Sequence, residues 1–286
     1  MPIEQIVVLA IIQGITEFLP ISSSGHLILV PVFTGWADQG LLTDVMVHMG
    51  SLIARLVYFW RDVLMLAHGG IELLKGRVTD AGRLVLLIAI ATVPAVAFGL
   101  ILRKTGFLDT IRGPYIVAWN AIIFGLLMLA ADWLGQSKWR MEDMTIGPAL
   151  IIGVAQALAL IPGTSRSGIT ITAARALGFT RPEAARFSFL LGIPAMVGAG
   201  VLVIGEAMEA GEPITGDAVL TGALTFVCAL GAIAFLMAVI RRFSLLPFVV
   251  YRIVLGVVIL LIVGFVADRR FSVFPWHDRA ERDAFG

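Results

Sequence analysis

Residues 13–26 read QGITEFLPISSSGH and place a carboxylate, a proline, three serines and a histidine within an otherwise apolar part of the chain. Apolar sequence flanks this stretch on both sides, with IVVLAII at 6–12 and LILVPVF at 27–33. A polar interruption of an apolar helix survives in a membrane only where it is buried in protein or lines a polar cavity. The stretch therefore predicts a broken helix with a polar site at its break.

The composition of the whole chain indicates an integral membrane protein. Of its 286 residues, 59% are hydrophobic and 14% are charged, whereas about a quarter of the residues in a typical soluble domain are charged. Membrane lipids are therefore the expected surroundings. The net charge of +1 gives no reason to expect a nucleic-acid partner. The N-terminal MPIEQ lacks the basic residues of a secretory signal, and we expect it to belong to the mature fold.

Hydropathy predicts an all-α protein, built as a polytopic helical bundle. A helix needs about 20 apolar residues to cross the hydrocarbon core of a bilayer. Five runs meet this length, and they are 82–102, 115–134, 184–204, 217–240 and 247–267. The run 41–60 is apolar but carries charged side chains, and the run 63–74 is too short to span. We expect the latter to lie at the interface or to enter the membrane partway.

A second interrupted stretch resembles the first. Residues 156–171 read QALALIPGTSRSGITI, and aligning Gln156 with Gln13 places Gly168 on Gly25 and two serines on two serines. The chain therefore resembles two repeats, and membrane proteins of this kind often carry their site where the broken helices meet.

The repeat predicts how the chain is organised. We expect one membrane domain over 1–286, with two inverted repeats at about 1–140 and 141–267. Each repeat contains one broken or re-entrant helix. The mixed-charge tail 268–286 is expected to be exposed.

The residues at the breaks suit an anion. Pro20 and Pro162 end a helix, and the serines after them can cap the next one. A capped helix N-terminus presents free N–H groups and a partial positive charge, which favour phosphate. The residues expected to bind phosphate are Gln13, Ser22, Ser24, Gly25, Gly163, Thr164, Ser165, Ser167, Gly168 and Thr170.

Arg166 and Glu17 are the charged members of the predicted site. The guanidinium of Arg166 suits bidentate binding of phosphate, and a charge in the membrane needs a partner. That partner is either a bound phosphate or Glu17, in which case the two residues form a structural ion pair. The carboxylate of Glu17 is equally suited to act as a base, to bind a divalent cation such as Mg²⁺ or Ca²⁺, or to neutralise Arg166.

Ser23 and His26 complete the predicted catalytic group with Glu17 and Arg166. A serine hydroxyl beside a base is a candidate nucleophile, and His26 or Glu17 is the candidate base. Attack by Ser23 on a phosphorus atom would form a phosphoserine that water then cleaves. Attack by His26, or directly by water, is an alternative that these residues leave open.

Four further polar residues lie in apolar runs. Asp44 and His48 share a helix face, and Arg55 lies seven residues beyond His48. We expect these three to line the same cavity or to pair with one another. Arg252 lies within an apolar run and is expected to extend to the interface, with contact to the site as the alternative.

The motifs at 13–26 and 162–170 resemble the two signature motifs of the bacterial undecaprenyl-pyrophosphate phosphatase family of the bacitracin-resistance type. The resemblance continues through GSLIARLVYFWRD at 50–62, FSFLLGIPAMVGA at 187–199 and LLPFVVYRIVLG at 245–256, in order along nearly the whole chain.

The resemblance implies removal of the terminal phosphate of undecaprenyl pyrophosphate, which regenerates a lipid carrier for cell-wall synthesis. It also implies a multi-pass protein of the bacterial inner membrane, with a site open to the outer, periplasmic face and a homodimer as a possible assembly. The family's serine, histidine and arginine positions fall on Ser23, His26 and Arg166. Where many members have glutamate this chain has Gln13, which moves the acidic role to Glu17.

A secondary transporter or flippase for a lipid phosphate or another anion is the alternative function, because transporters are also built from inverted repeats with broken helices. The adjacency of a hydroxyl and a base favours the phosphatase, since a transporter needs only groups that bind the anion.

The second class of lipid-phosphate phosphatase, the acid-phosphatase-like type, requires a histidine and an aspartate after its Ser-Arg pair. SGITITAARALG follows Arg166 here and contains neither.

Overall fold

A computed structural model describes residues 1–36, 40–105, 113–209 and 215–269, and helices account for most of these ranges. The helices are α1 (Ile3–Thr16), α2 (Ser23–Thr34), α3 (Leu41–Tyr58), α4 (Trp60–Leu74), α5 (Asp80–Thr105), α6 (Pro114–Leu134), α7 (Ile146–Leu158), α8 (Arg166–Ala176), α9 (Arg181–Glu209), α10 (Gly216–Arg242) and α11 (Leu246–Arg269). The predicted all-α class is confirmed. Residues 270–286, which form most of the predicted tail, lie outside the described part.

The five predicted membrane spans are confirmed. Among the described residues, five helices are long and apolar enough to cross a bilayer, and they are Asp80–Thr105, Pro114–Leu134, Arg181–Gly205, Gly216–Arg242 and Leu246–Phe265. Their boundaries differ from the predicted ones by a few residues, because polar residues at the helix ends continue the helical turn beyond the apolar run.

The two runs at 41–60 and 63–74 form one bent pair. Leu42–Tyr58 and Trp60–Leu74 meet at an angle of 85° around Phe59. The buried ring of Phe59 packs against Phe189 of α9, which holds the corner of the bend inside the protein. Counted as one span, the pair raises the number of candidate crossings among the described residues to six.

Both predicted helix breaks are present. The first separates α1 from α2 at residues 17–22, and the second separates α7 from α8 at residues 159–165. Both α1 and α7 are apolar but shorter than the helices that could cross a membrane by themselves.

Each short helix before a break packs on a long helix from the other half of the chain. α1 lies along α10, and α7 lies along α5. Glycines allow these close approaches, because a Cβ at Gly14 would press on Cys228 and one at Gly153 would overlap the backbone of Ala91. Small residues at helix contacts are the usual means of tight packing in membranes.

Asp132 of α6 connects this helix to three others at a place away from the breaks. Its carboxylate accepts hydrogen bonds from Nε of Arg175 at 3.0 Å, from Nε of Arg181 at 2.7 Å and from the backbone N–H of Leu245 at 3.1 Å. Asp132 and Arg175 are both buried. The interaction holds α6 against α8, α9 and the start of α11.

We predict that Asp132→Asn destabilises the fold. Removing one partner of a buried ion pair costs about 3–5 kcal/mol, which should lower the apparent melting temperature in detergent by about 5 °C or more. Asp80→Asn, at an exposed position in the first turn of α5, is the matched control and should change it little. An equal effect of the two substitutions would contradict the structural role of Asp132.

Candidate active site

The two breaks have the same local geometry. Ser22 precedes α2 with φ 76° and ψ 98°, and Ser165 precedes α8 with φ 70° and ψ 114°. Their hydroxyl oxygens accept hydrogen bonds from the backbone N–H groups of Gly25 at 3.3 Å and Gly168 at 3.1 Å. Both serines therefore cap the following helix in a left-handed conformation that is costly for a side-chain-bearing residue.

The two breaks lie against each other. The hydroxyl of Ser167 at the start of α8 donates to the backbone carbonyls of Leu19 at 3.3 Å and Glu17 at 3.4 Å in the first break. A Cβ built on Gly25 would lie 3.7 Å from Cα of Gly163. The N-termini of α2 and α8 thus belong to one site.

Arg252 joins both breaks to α6. Its guanidinium donates to the carbonyls of Pro20 at 3.2 Å and Gly163 at 2.9 Å, and to those of Asn120 at 3.1 Å and Ala121 at 3.2 Å. The side chain is fully buried, so the expectation that it extends to the interface is wrong. The broken backbone leaves carbonyls without helical partners, and a buried guanidinium satisfies them where water is absent.

Glu17 is the centre of the site. Its Oε1 accepts a hydrogen bond from Nη2 of Arg166 at 2.6 Å and lies 3.6 Å from Nη2 of Arg55. Its Oε2 accepts from the hydroxyl of Ser23 at 2.8 Å and from Nε2 of Gln13 at 3.3 Å. The carboxylate therefore connects a hydroxyl to two guanidinium groups.

His26 lies at the edge of the site and is bonded elsewhere. Its Nδ1 is 2.6 Å from the carbonyl oxygen of Ser22, and its Nε2 is 2.7 Å from the hydroxyl of Tyr251, whose ring stacks on the imidazole. Because a carbonyl only accepts, Nδ1 carries a proton and the neutral ring accepts from Tyr251. The structure thus pairs the Ser23 hydroxyl with Glu17 and leaves His26 as a second titratable group nearby.

Two residues predicted to bind phosphate, Thr170 and Gly163, make contacts that hold the helices together. Thr170 bonds to the Arg166 carbonyl at 2.7 Å and to the Ser188 hydroxyl at 2.6 Å, so its hydroxyl is committed within the helix packing. Gly163 has φ +88°, and a Cβ there would press on the backbone of Val117 at 2.7 Å. This glycine therefore allows the break to approach α6.

Gly168, Ser24 and Thr164 differ in their surroundings, and phosphate binding by them stays a prediction. A Cβ at Gly168 would lie 2.9 Å from Nη1 of Arg252, so glycine there leaves room for the guanidinium that joins the breaks. Ser24 is exposed, with its hydroxyl 3.4 Å from that of Ser22. Thr164 is buried, and its hydroxyl has no hydrogen-bond partner among the described residues.

Buried donors without partners converge on the site. Within the described ranges, all three guanidinium nitrogens of Arg55 and Nη1 of Arg166 are buried and make no hydrogen bond. A buried N–H group without an acceptor costs free energy, and an anion with several oxygens is the natural acceptor for such a group. The arrangement can therefore bind a phosphate and present a hydroxyl with a carboxylate base to it.

Sequence reasoning underestimated Arg55. We expected it to line the cavity or to pair with Asp44 and His48. It lies in the site, where its ionic partner is Glu17 and its guanidinium lies 5.2 Å from the ring centroid of Phe18. The available signal was an arginine on one helix face with His48 and Asp44 within an apolar run.

The donors for a divalent cation are limited. No group of three or more His, Cys, Asp or Glu side chains suited to a metal occurs in the part of the chain that the structure describes. Gln13 donates its Nε2 to Glu17, and its Oε1 is buried and has no hydrogen-bond partner among the described residues. A carboxylate oxygen and an amide oxygen are the ligand types that Mg²⁺ or Ca²⁺ prefers. Such a cation commonly takes its remaining ligands from water and from substrate phosphates.

Comparison with known proteins finds similarity over nearly the whole chain. The family model described as bacitracin resistance protein BacA matches residues 6–258. A relative from Erythrobacter litoralis is 50% identical over 279 residues, covering 90% of this chain and 98% of the relative. Relatives from Jannaschia sp. (46%, covering 89% of this chain and 96% of the relative) and Maricaulis maris (47%, covering 90% and 97%) are also similar. All three relatives are named undecaprenyl-diphosphatase.

We predict that Arg252→Met loosens both breaks together. Each lost hydrogen bond to a charged group is worth about 1.5–3 kcal/mol, so amide hydrogen exchange at residues 18–26 and 161–168 should accelerate at least tenfold. The exposed Arg241, in the last turn of α10, provides the control variant Arg241→Met. Acceleration confined to one break would show that Arg252 does not couple them.

Proposed function

The chain belongs to the BacA family of bacitracin resistance proteins, and on that premise we propose that it is an undecaprenyl-diphosphatase. It hydrolyses undecaprenyl diphosphate to undecaprenyl phosphate and inorganic phosphate, which recycles the lipid carrier for cell-wall synthesis. The observation that carries the proposal at the level of residues is the hydrogen bond from the Ser23 hydroxyl to the Glu17 carboxylate beside two guanidinium groups.

In the proposed reaction Ser23 attacks the terminal phosphorus. Glu17 accepts the hydroxyl proton, because its Oε2 is the acceptor of that hydroxyl in the structure. The bond from the terminal phosphorus to the bridging oxygen breaks, and undecaprenyl phosphate leaves with the bridging oxygen. Water then attacks the phosphoserine, which releases inorganic phosphate and restores Ser23.

His26 keeps a supporting role in this proposal. Its bonds to the Ser22 carbonyl and to Tyr251 direct both ring nitrogens away from the Ser23 hydroxyl. It remains able to exchange a proton through Nε2 with groups near Tyr251. A mechanism with His26 as nucleophile would require Nε2 to leave the Tyr251 hydroxyl, and direct attack by water would need Glu17 as its base.

Positive charge stabilises the diphosphate during phosphoryl transfer. Arg166 is 17% exposed, and its Nη1 makes no hydrogen bond within the described residues, so it can donate to the substrate. The N-termini of α2 and α8 add partial positive charge at the same place. Phosphoryl transfer is accelerated mainly by such positioning and charge stabilisation, and an arginine in this role is worth about 10³–10⁵ in rate.

A divalent cation is part of the proposal. Glu17 and Gln13 would hold it together with the substrate's phosphate oxygens, and it would offset the negative charge of the diphosphate.

The lipid chain fits an apolar groove next to the site. The groove runs beside α1 and α11, and its lining is Ile11, Ile12, Ile15, Thr16, Leu19, Ile21, His26, Pro247, Phe248 and Tyr251. Because His26 and Tyr251 are part of the lining, a polyprenyl chain lying in the groove would bring its diphosphate near the break. We propose this route because it lets the tail remain in an apolar environment during the reaction.

The inverted repeat is also a proposal. The matching caps at Ser22 and Ser165, and the reciprocal packing of α1 on α10 and α7 on α5, support it. A site open to the outer face of the bacterial inner membrane and assembly as a homodimer remain predictions from the family resemblance.

We predict that Ser23→Ala lowers phosphate release from undecaprenyl diphosphate by about a thousandfold or more, since loss of a nucleophile removes the covalent route. Detergent-purified protein is assayed with Ser244→Ala, at a serine outside the site, as the matched control. Phosphate found on Ser23 after acid quenching of the wild-type protein during turnover, and absent from Ser23→Ala, would support the intermediate.

Other outcomes would change the assignment. Release by folded Ser23→Ala at the normal rate would keep the enzyme and move the attack to His26 or water. No release by the wild-type protein with any divalent cation, together with transport of a lipid phosphate in vesicles, would favour the transporter or flippase.

We predict that chelation of divalent cations lowers phosphate release at least tenfold, and that Mg²⁺ or Ca²⁺ restores it. Gln13→Ala should raise the cation concentration needed for half-maximal activity, because an oxygen ligand is lost. Gln156→Ala at the equivalent position of the second break is the matched control and should not change it. Full activity in excess chelator would contradict the cation requirement.

A further inference from the structure

Arg55 is a buried cation without the contacts of a structural arginine. Its side chain is 0% exposed, and all three guanidinium nitrogens lack a hydrogen bond within the described residues. Two other arginines are buried to a similar degree, and both are fully engaged. Arg252 donates to four backbone carbonyls, and Arg175 bonds to Asp132, Ser137 and nearby carbonyls.

The charge around Arg55 is unbalanced. Arg55 and Arg166 both face Oε1 of Glu17, with Nη2 distances of 3.6 Å and 2.6 Å. Glu17 is the one carboxylate paired with either arginine in the described part of the chain. Two guanidinium cations and one carboxylate leave one positive charge without a partner in a low-dielectric site, which an anionic ligand would compensate.

The free nitrogens of the two arginines meet at one place. A Cβ built on Gly192 of α9 would overlap Nη1 of both Arg166 and Arg55. The Nη1 atoms therefore lie side by side against a position that has no side chain. Gly198, one and a half turns further along the same helix, has nothing within 4 Å of such a Cβ.

We propose that Arg55 is the second arginine of a clamp that recognises a diphosphate, a role that rests on the proposed function. Arg166 is partly exposed and Arg55 lies fully buried behind it. Since the lipid is attached to one end of the substrate, the terminal phosphoryl group enters first and reaches deepest. Arg55 then donates to the oxygens of the terminal phosphoryl group, and Arg166 donates to the phosphoryl group that remains on the lipid.

The clamp makes the site selective for two linked phosphoryl groups. A diphosphate occupies both guanidinium groups, whereas a monophosphate leaves one of them without a partner. The monophosphate product is therefore held less tightly than the substrate, which favours its release after the reaction.

Binding of methylenediphosphonate, a diphosphate analogue that cannot be hydrolysed, tests the clamp against inorganic phosphate by calorimetry on detergent-purified protein. The wild-type protein should bind the diphosphonate more tightly. Arg55→Met should weaken diphosphonate binding about 10- to 100-fold, as expected for a charged hydrogen-bonding group, and reduce the preference over phosphate. Arg55→Lys should restore little, because an ammonium does not reproduce the guanidinium fork.

A second variant tests the same space without removing a charge. Gly192→Ala should weaken diphosphonate binding because the added methyl group displaces both Nη1 atoms, and Gly198→Ala is the matched control on the same helix. The melting temperature of the Arg55→Met variant tests whether the role of Arg55 is purely structural. Arg55→Met should keep or raise it, because the substitution removes an unbalanced buried charge.

The outcomes separate this inference from the proposed function. Unchanged diphosphonate affinity in Arg55→Met, or a lower melting temperature with no loss of preference for the diphosphonate, would show that Arg55 is only a counter-ion of Glu17. If the wild-type protein still releases phosphate from undecaprenyl diphosphate in that case, the proposed phosphatase function stands without the clamp. Conversely, Arg55-dependent binding by a protein that releases no phosphate would support the clamp and overturn the enzyme.

Discussion

The structure depends on satisfying backbone that is broken inside an apolar protein. Each break leaves carbonyls and N–H groups that no helix can pair, and unpaired groups of this kind are costly away from water. Ser22 and Ser165 satisfy N–H groups at the helix starts, and Arg252 satisfies carbonyls of both breaks at once. The same contacts that remove this cost also hold the two helix N-termini against each other, so the solution to a folding problem creates a polar site.

The two breaks share a backbone but divide the chemistry. In the alignment that places Ser22 on Ser165, Ser23 falls on Arg166, and each is the first residue of its helix after the break. One break thus supplies the hydroxyl and the other supplies the guanidinium at positions that the alignment makes equivalent. Glu17 joins them, since its two oxygens accept from Ser23 and from Arg166. Two breaks with the same cap geometry therefore hold an asymmetric group, as the proposed attack on one end of a diphosphate requires.

The surroundings of the site separate the two ends of the substrate. Guanidinium nitrogens of Arg55 and Arg166 that make no hydrogen bond in the described part of the chain lie in the interior, where phosphoryl oxygens would supply the acceptors. On the other side, His26 and Tyr251 border an apolar groove along α1. The polar and apolar regions meet at the first turn of α2, which carries both Ser23 and His26. This arrangement matches a lipid whose charged headgroup is joined directly to its hydrocarbon chain. The enzyme needs no deep aqueous cleft for such a substrate.

Sequence alone determined the membrane class, the five long spans and both breaks, because hydropathy, proline and serine act over neighbouring residues. It also pointed to Glu17 and Arg166, since ionisable residues are rare in apolar surroundings, and to Ser23 beside them. The structure brings these three side chains together. Only the tertiary structure decided which groups meet: His26 with Tyr251, Arg252 with Pro20 and Gly163, and Arg55 with Glu17. His26 and Tyr251 are 225 residues apart, and Arg252 and Pro20 are 232 apart. Local pattern shows that a buried polar group needs a partner, but helix packing between the two halves selects that partner.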